Sequence, residues 1–352
     1  MRVLMLDDSF EFDGSSTADR PMGGAEKAFA NLATALAGRG HEVTAINQCT
    51  RRKSVNNVSW LPFDSPRPPE TDVLIAFRKP NLLQEQDDHK RRIFWLWGAP
   101  KILNQPANQA LLEKYDPIIV FTGEANRRAW KSWRDFSEFT IVPGLADAYL
   151  GDQVPMPAEP PVAIVTTHPL HNLDAIIDLW QGRIHPKIPG AELHIYSASL
   201  AKAASGGEVN KRLAPVFDKA KAAENAGVRL KQPLADSKMV AVYYSARVHL
   251  YPVIKDEYYC STLAESQSCG LPAVVSQFGG VREKFDLAPI YERVQNGLSG
   301  YIAPDNDAFV NLSLELLDDD KTMYESLSRD AKILQSDRDW QTVAIDFEKL
   351  FK

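Results

Sequence analysis

Short apolar runs alternate with stretches of helical periodicity along almost the whole chain, a pattern that predicts parallel βαβ units. In the first half, a strand over 2–6 is followed by a polar loop and then by an amphipathic helix over 26–37. Together with the strands that follow, these elements form one doubly wound half that ends near residue 150. The further buried strands are predicted over 42–46, 72–77, 93–97, 118–122 and 139–142.

The same pattern restarts after residues 151–161, which contain four prolines and are typical of an interdomain linker. A last amphipathic helix is predicted over 340–351. The chain is therefore predicted to be an α/β protein with domains 1–150 and 151–337. In the second domain, strands are predicted over 162–166, 192–196, 228–231, 248–250 and 273–276, and helices over 173–181, 210–226, 236–245 and 262–268.

The composition is that of a globular chain, because 44% of the 352 residues are hydrophobic and 24% are charged. The net charge of −6 argues against nucleic acid as a partner, since phosphate backbones are bound by basic surfaces. The three cysteines show no pairing or metal-binding spacing, and neither a signal-peptide core nor a membrane-spanning apolar stretch is found. We expect a cytoplasmic protein, with contact to the inner face of a membrane as the alternative to a fully solvated one.

Two α/β domains that face each other form a cleft, and open parallel sheets bind ligands beyond the carboxyl ends of their strands. The first loop at such an end contains Gly23 and Gly24, directly before a helix. Glycines at a helix start let a phosphate or a sugar approach the free backbone N–H groups, where the helix dipole favours negative charge. For a lone Gly-Gly pair, a simple turn is the commoner alternative.

The strongest signal lies around two glutamates. A strand that ends near residue 250 leads into a loop with Glu257, and a helix begins around Ser261. The backbone N–H groups of Ser261, Thr262 and Leu263 then lie in the first turn, where they can bind a diphosphate. Glu265 can accept the two hydroxyls of a ribose, and Glu257 can bind hydroxyls of a sugar attached to the diphosphate. A solvated loop carboxylate is the less favoured alternative for Glu257.

These motifs resemble those of the family 4 retaining glycosyltransferases, also called glycosyltransferase group 1. Residues 257–272, followed by Gly279-Gly280 and Asn296-Gly297, are similar to the carboxy-terminal signature of that family. The Gly23-Gly24-Ala25-Glu26 loop resembles its amino-terminal signature. The helix over 340–351 resembles its tail, which typically crosses back onto the first domain. The resemblance covers nearly the whole chain and is weakest in the middle of the first domain.

The resemblance implies a GT-B fold, in which two Rossmann-like doubly wound domains face each other across a cleft. The domain 151–337 would hold a nucleotide-sugar donor. The domain 1–150, with the terminal helix at about 338–352, would hold a glycan or lipid-linked acceptor. We expect no cofactor beside the donor substrate, for which a UDP-sugar is favoured over a GDP-sugar.

The reaction that the resemblance implies is sugar transfer with retention at the anomeric carbon and without a metal ion. The leaving diphosphate would take the proton of the acceptor, and Glu257 would be the catalytic residue by holding the donor sugar. The chain offers no Asp-x-Asp pair at a strand end. For Asp7-Asp8, loop capping is favoured over metal binding.

The chain departs from the family where relatives place an arginine and a lysine aimed at the diphosphate. His168 and His171 stand at those positions, and a diphosphate would favour their charged forms. Lys231, at the end of a predicted strand, and Arg282 are the other candidate cations. For each of these two, a solvated surface charge is an equal alternative.

A second departure concerns the acceptor side of the predicted cleft. Relatives often carry a histidine where Trp97 stands here, beside Gly98. An indole ring could stack on a sugar but cannot accept a proton, and core packing is an equal alternative. Arg78, after the strand over 72–77, is expected to face the same cleft and to bind acceptor or phosphate.

The segment from Arg127 to Arg134 carries four basic residues and two tryptophans. Basic charge beside tryptophan suits the interface of an anionic membrane, which would bring a lipid-linked acceptor close. A solvated helix with its tryptophans packed on the domain is the favoured alternative.

Two other functions compete with the transferase. A nucleotide-sugar epimerase or hydrolase needs a group that activates water or acts as a base in the cleft, and Trp97 argues against it. A degenerate relative that binds nucleotide or glycan without turnover would fit the departures at His168, His171 and Trp97.

Overall fold

The computed structural model describes residues 1–86, 89–254, 256–277, 288–318 and 321–352. The chain divides into two compact units. Unit 1 comprises Met1–Ala146 and Asp337–Lys352, and unit 2 comprises Asp147–Ser336. No helix within the described ranges is both long and apolar enough to cross a membrane.

Unit 1 is built on one eight-stranded sheet. Its strands are β1 (Arg2–Leu6), β2 (Glu42–Asn47), β3 (Lys53–Val55), β4 (Val58–Pro62), β5 (Thr71–Phe77), β6 (His89–Trp95), β7 (Ile118–Phe121) and β8 (Glu138–Thr140). They lie in the order β3-β4-β2-β1-β5-β6-β7-β8, and only β3 and β4 pair in the antiparallel direction. Every residue of β5 is buried, as expected for a parallel sheet that is covered on both faces.

The helices of unit 1 cover this sheet. Along the first part of the chain they are α1 (Ser16–Asp19), α2 (Gly24–Gly38), α3 (Pro106–Tyr115) and α4 (Glu124–Arg128), with short 3₁₀ helices at Pro80–Gln84 and Pro100–Asn104. The apolar face of α2 packs Phe29 against Phe77 and Trp60, with ring centroids 5.6 and 6.1 Å apart. This packing fixes the start of α2 beside the carboxyl end of β1.

Unit 2 contains a six-stranded sheet in which every pair is parallel. Its strands are β9 (Val162–Val165), β10 (Glu192–Tyr196), β11 (Val228–Lys231), β12 (Val248–Val253), β13 (Ala273–Gln277) and β14 (Gly300–Ala303), in the order β11-β10-β9-β12-β13-β14. Its helices are α5 (Leu173–Leu179), α6 (Ala198–Ala204), α7 (Ala214–Ala222), α8 (Asp236–Ser245), α9 (Ser261–Ser268), α10 (Ala288–Tyr291), α11 (Asn306–Leu317) and α12 (Lys321–Gln335). Short 3₁₀ helices lie at Asp147–Tyr149 and Glu224–Ala226, and a π-helical turn lies at Trp180–Ile184.

The carboxy-terminal helix α13 (Trp340–Lys349) belongs to unit 1. Its buried Phe347 packs on Trp95 with ring centroids 5.1 Å apart. Glu348 binds Arg39 at 2.6 Å, beyond the end of α2. The returning chain is therefore anchored by both apolar packing and charge.

Some predicted elements differ from the observed ones. Strands β3, β4 and β14 were not predicted, and β6 ends at Trp95 rather than at residue 97, before Gly98 and Pro100 turn the chain. Helix α7 begins only at Ala214, because Pro215 fits the first turn of a helix but not its interior.

Candidate functional site

In each sheet there is one point from which the chain builds strands first to one side and then to the other. In unit 2 the chain runs outward from β9 through β10 to β11, and then from β12 through β13 to β14 on the other side. Open α/β sheets bind ligands beyond the carboxyl ends of their strands at such a switch point. The loop after β9 and the loop between β12 and α9 both leave from there, so these two loops form the candidate site of unit 2.

Helix α9 presents its amino terminus at this switch point. It begins at Ser261, directly after Cys260, whose φ of 56° is left-handed. Among the described residues, no backbone carbonyl accepts from the N–H groups of Ser261 and Thr262. The first N–H groups of a helix attract an anion, because they lack helical partners and lie at the positive end of the dipole.

Leu263 does not offer the third free N–H that the sequence led us to expect. Its N–H donates to the Cys260 carbonyl at 3.1 Å, and the N–H of Ala264 donates to the same oxygen at 3.0 Å. This part of the prediction was wrong, because the first carbonyl of the helix is shared by two donors. The anion site therefore has two backbone donors, with Leu263 itself buried in the core.

Glu257 lies in the loop between β12 and α9. Tyr251 Oη donates to Glu257 Oε1 at 2.6 Å. Glu257 Oε2 is buried and has no hydrogen-bond partner in the part of the chain that the structure describes. Burial raises the pKa of Glu257, and the hydrogen bond from Tyr251 opposes that shift. Because a buried acceptor without a partner is costly, Oε2 is well placed to accept a hydrogen bond from a ligand.

Glu265, one turn into α9, is only 6% exposed. Tyr243 Oη donates to Glu265 Oε2 at 3.4 Å, and the Tyr149 ring lies 5.8 Å from the Tyr243 ring. Tyr149 Oη in turn donates to Asp236 Oδ1 at 2.7 Å. Burial, and then the nearby Glu265, raise the pKa of both tyrosines well above the usual value. The tyrosines therefore stay protonated and act as donors to the two carboxyl groups.

The loop after β9 contributes two histidines, whose ring centroids lie 5.2 Å apart. His168 is exposed and its Nδ1 accepts from the Leu170 N–H at 3.2 Å. Burial, and then His168, lower the pKa of His171, so without a ligand its neutral form is favoured. The neighbouring Thr167 Oγ1 is buried and has no partner within the described ranges.

The other candidate cations differ in position. Lys231 ends the edge strand β11, so β10 and β9 lie between it and the switch point. Its charge influences Glu192 and His194 on the neighbouring strand β10. Arg282 and the Gly279-Gly280 pair lie outside the described residues. The two histidines are therefore the candidate cations that the structure places at the switch point.

The switch point of unit 1 lies between β1 and β5, and a cluster of charged side chains occupies it. Arg78, with φ of 65°, donates to Glu26 Oε1 at 2.7 Å and to Asp7 Oδ2 at 2.5 Å. Asp7 is fully buried, and burial raises its pKa although Arg78 opposes the shift. Arg78 is thus committed to two acidic side chains of its own unit, rather than presented as a free cation for a phosphate.

The Gly23-Gly24 pair begins α2, with Gly23 at the cap and Gly24 as the first helical residue. A Cβ added to Gly23 would collide with Glu26 Oε2. The Glu26 carboxylate therefore already faces the amino terminus of α2, where the helix dipole favours it. The glycine is explained by this close approach, and a sugar or phosphate at this terminus would meet an acidic side chain.

Replacing Gly23 by Ala is expected to destabilise unit 1 by about 1–2 kcal/mol, because Glu26 must leave Arg78 or the helix start must shift. The measurement is the free energy of unfolding in urea. Gly38→Ala at the end of α2 is the matched control, since its Cβ would meet only Gln341 at 3.8 Å, and it should cost nothing. In a Glu26→Ala background the cost of Gly23→Ala should vanish, and an unchanged cost there would contradict this explanation.

Trp97 lies in the loop after β6, not at a strand end as predicted. Its ring packs edge-on against Phe77 and Trp95, with centroids 5.7 and 5.9 Å apart, and it is partly exposed. The carbonyl of the adjacent Gly98 accepts from Asn126 Nδ2 at 3.0 Å. Trp97 is therefore a partly exposed residue that packs against the core of unit 1.

The tryptophans of the segment 127–134 face the protein. Trp130 is buried and donates to Asn104 Oδ1 at 2.9 Å, and Trp133 donates to Glu113 Oε1 at 2.9 Å. Arg127 and Arg134 form ion pairs with Glu124 and Asp116. This geometry is that of a solvated segment with packed tryptophans.

Four residues of the unit 2 site were not predicted from the sequence. They are Tyr251, Tyr243, His249 and Thr166. Tyr251 and His249 alternate with apolar residues in a strand that the pattern predicted only as buried. Their polar side chains at every second position of a buried strand could have indicated a site, because buried polar groups need hydrogen-bond partners. The residues around Tyr243 and Thr166 form no sequence pattern that indicates a site.

Residues 205–333, just over a third of the chain, match the family model described as "Glycosyl transferases group 1". This segment contains Glu257, Glu265 and the whole of α9. It carries the carboxy-terminal half of the predicted resemblance. A comparison with curated proteins finds no match.

Solved structures extend the likeness to the whole chain. Sucrose-phosphate synthase from Thermosynechococcus elongatus aligns with a TM-score of 0.72 and 14% identity, over 100% of this chain and 98% of that one. WaaG, a glycosyltransferase involved in lipopolysaccharide biosynthesis, aligns with a TM-score of 0.68 and 11% identity, over 99% of each chain. Anabaena HepE in complex with UDP and glucose aligns with a TM-score of 0.64 and 12% identity, over 99% of this chain and 98% of that one.

The chain has the GT-B fold, and residues 205–333 match the group 1 glycosyltransferase model. The predicted resemblance and fold class are thereby confirmed. Identities of 11–14% to these structures show the fold of the chain and not its substrates. Within the group 1 segment, the amino terminus of α9 and its two glutamates are the features that can carry chemistry.

The ending of α9 explains another part of the group 1 motif. Gly270 follows the helix with φ of +76°, and a Cβ there would lie 2.8 Å from Ser328 Oγ. A left-handed glycine just past a helix end stops the helix and turns the chain into the next strand. The Gly-Leu-Pro ending therefore serves the turn from α9 into β13.

Proposed function

We propose that the chain is a retaining glycosyltransferase that moves a sugar from a nucleotide-sugar donor to a glycan or lipid-linked acceptor. One observation carries the proposal. The open amino terminus of α9, at the switch point of unit 2, is flanked by Glu257 ahead of the helix and by Glu265 within it. In this order the three groups would bind the sugar, the diphosphate and the ribose of one donor.

Each part of the donor has a partner in this proposal. The N–H groups of Ser261 and Thr262 bind the diphosphate, and His168 and His171 lie beside them as the side chains that can supply positive charge. Glu265 accepts the ribose hydroxyls. Glu257 Oε2 accepts a hydroxyl of the donor sugar.

In the proposed chemistry the protein stabilises the charge of the leaving group, and it needs no covalent nucleophile. The leaving diphosphate takes the proton of the acceptor hydroxyl on the same face of the sugar, so the configuration at the anomeric carbon is retained. The helix terminus and the histidines stabilise the charge that develops on the leaving group. No metal ion is needed for this role. A UDP-sugar is favoured as donor, with the UDP and glucose in the HepE complex as support.

The acceptor side of the proposal rests on unit 1. The partly exposed ring of Trp97 can stack on a sugar ring. The proposal includes no membrane contact at 127–134, because the tryptophans there are engaged within unit 1.

The test is turnover of candidate donors. UDP-glucose, UDP-galactose, UDP-N-acetylglucosamine, GDP-mannose and ADP-glucose are incubated with the protein, with and without simple glycoside acceptors, and the released nucleoside diphosphate is measured. We expect release from one donor, unchanged by EDTA. The anomeric configuration of the product, read by NMR, should match that of the donor. A product of inverted configuration would contradict retention. Loss of activity in EDTA would contradict independence from a metal ion.

Replacing Tyr251 by Phe is expected to raise the pKa of Glu257 further, because the hydrogen bond that favours its charged form is lost. Binding of the donor sugar that needs the carboxylate should then fail at a higher pH in the variant than in the wild type. The measurement is the pH dependence of UDP-glucose affinity, with UDP as the control ligand that does not reach Glu257. If the affinity for UDP-glucose falls at the same acidic pH in the wild type and the variant, the role given to Glu257 is contradicted.

A protein that binds nucleotide or glycan without turnover is the second candidate. The commitment of Arg78 to Asp7 and Glu26, and the packing of Trp97 in the core, favour it. Such a protein would be stabilised by one nucleotide while transfer and slow donor hydrolysis were both absent. A ligand at 100 times its dissociation constant adds about 2.7 kcal/mol, which raises the melting temperature of a domain the size of unit 2 by roughly 5–11 °C.

A further inference from the structure

A chain of buried and partly buried hydrogen bonds joins the core of unit 2 to the amino terminus of α9. Ser266 Oγ lies 2.7 Å from His249 Nδ1, and His249 Nε2 lies 3.0 Å from Thr166 Oγ1. Thr166 Oγ1 lies 2.8 Å from Thr262 Oγ1. The chain thus connects β12, the end of β9 and the first turn of α9, which are the three elements that meet at the switch point.

His249 is the centre of this chain and of the site. It is fully buried, and burial lowers its pKa to about 3, so the ring is neutral at neutral pH. Its ring lies 5.5 Å from that of Tyr251, which holds Glu257, and 6.5 Å from that of Tyr243, which holds Glu265. No part of the proposed chemistry uses this histidine.

A neutral imidazole has one N–H donor and one acceptor nitrogen, so the chain has two coherent directions. With the proton on Nδ1, His249 donates to Ser266, whose hydroxyl donates to the Leu263 carbonyl at 3.0 Å. Thr166 then donates to Nε2 and Thr262 donates to Thr166, so that Thr262 shows only lone pairs to the helix terminus. An anion there would gain no hydrogen bond from the Thr262 hydroxyl.

With the proton on Nε2 the three bonds that link Ser266, His249, Thr166 and Thr262 reverse, and the Ser266 hydroxyl no longer donates to the Leu263 carbonyl. Ser266 donates to Nδ1, His249 donates to Thr166, and Thr166 donates to Thr262. The hydroxyl hydrogen of Thr262 is then free to point out of the helix, beside the N–H groups of Ser261 and Thr262. The same terminus thereby gains a third donor in place of the one that Leu263 lacks.

We infer that His249 is a positioning residue, whose Nε2–H tautomer turns the Thr262 hydroxyl into a donor to the diphosphate of the nucleotide. The inference rests on the proposed donor site and deepens it. The unpartnered, buried hydroxyl of Thr167 in the adjacent loop independently marks this edge as one where a ligand completes the hydrogen bonding.

The tautomer is read directly by ¹⁵N NMR of histidine-labelled protein, with His249→Phe to assign the resonances. Spectra are recorded alone and with UDP, GDP or ADP at saturation. We expect the bound form to carry its proton on Nε2. In Thr262→Val, which still has the helix N–H groups, the tautomer should no longer depend on the nucleotide. A bound form with the proton on Nδ1 would overturn the inference.

Binding affinities complete the test. Thr262→Val should weaken nucleoside diphosphate binding about tenfold and leave uridine binding unchanged, because one hydrogen bond to a charged group is lost. His249→Phe alone should weaken nucleoside diphosphate binding about threefold, because the hydrogen-bond chain is no longer polarised. Added to Thr262→Val, the same substitution should cause no further loss. Equal losses in both backgrounds would mean a merely structural histidine and overturn the inference. If the wild type binds no nucleotide, the proposed function itself fails.

Discussion

Glu265→Gln is expected to weaken binding of the nucleoside diphosphate, UDP in the favoured case, about 100-fold. In the proposed site, Glu265 accepts the two ribose hydroxyls. Hydrogen bonds to a charged acceptor contribute about 1.5–3 kcal/mol each, and the amide keeps only one accepting oxygen. A net loss of about 2.7 kcal/mol corresponds to the 100-fold change. The measurement is isothermal titration calorimetry on the wild type and the variant.

Two controls separate this effect from unfolding. Glu325→Gln makes the same change of charge at an exposed position of unit 2 and should leave the affinity unchanged. The free Glu265→Gln variant should unfold at the wild-type temperature or above it, since a buried amide costs less than a buried carboxylate. Wild-type affinity in a folded Glu265→Gln variant would remove Glu265 from the nucleotide site.

Glu257→Gln is expected to show the opposite pattern. It should lower kcat/KM for the nucleotide-sugar about 10- to 100-fold, because the amide replaces a charged acceptor of a sugar hydroxyl. The affinity for the bare nucleoside diphosphate should stay within about threefold of the wild type, because Glu257 lies ahead of the helix and is assigned to the sugar alone. The measurement combines donor turnover with calorimetry on the same preparation.

The adjacent Asp256→Asn is the matched control for this variant. Asp256 is exposed and has φ of 66°, a left-handed conformation that asparagine tolerates. It should change neither quantity. If Glu257→Gln instead weakens nucleotide binding as much as Glu265→Gln does, the division of the donor between the two glutamates is wrong.

The sequence pattern predicted most of the two sheets because their inner strands are continuous apolar runs. Strands at the sheet edges were harder, as β3 and β14 illustrate. Lys53–Val55 has no apolar run of its own and pairs only with β4, while Gly300–Ala303 begins with a glycine. Their pairing depends on a neighbouring strand that is already in place, which is information that a local pattern does not contain.

One part of the candidate site, the start of α9, was predictable from the sequence because a helix start is marked by local residue types. The spacing of Glu257, Ser261 and Glu265 located the start of α9, and the structure places that start at the switch point. The state of each side chain was not predictable, because it depends on distant partners. Arg78 is an example, since its two acidic partners come from positions 52 and 71 residues away in the chain. His249 is another, because its role depends on three hydroxyl groups that lie in two other parts of the fold, at the end of β9 and in α9.

The most direct measurement of the central claim is a crystal structure of the protein with bound UDP. We expect the diphosphate to lie against the N–H groups of Ser261 and Thr262, with the ribose on Glu265. Unit 2 offers an alternative, a cavity of about 750 Å³ lined by Pro157, Tyr324 and Lys332 among others. UDP in that cavity, or on unit 1, with the terminus of α9 empty, would contradict the account.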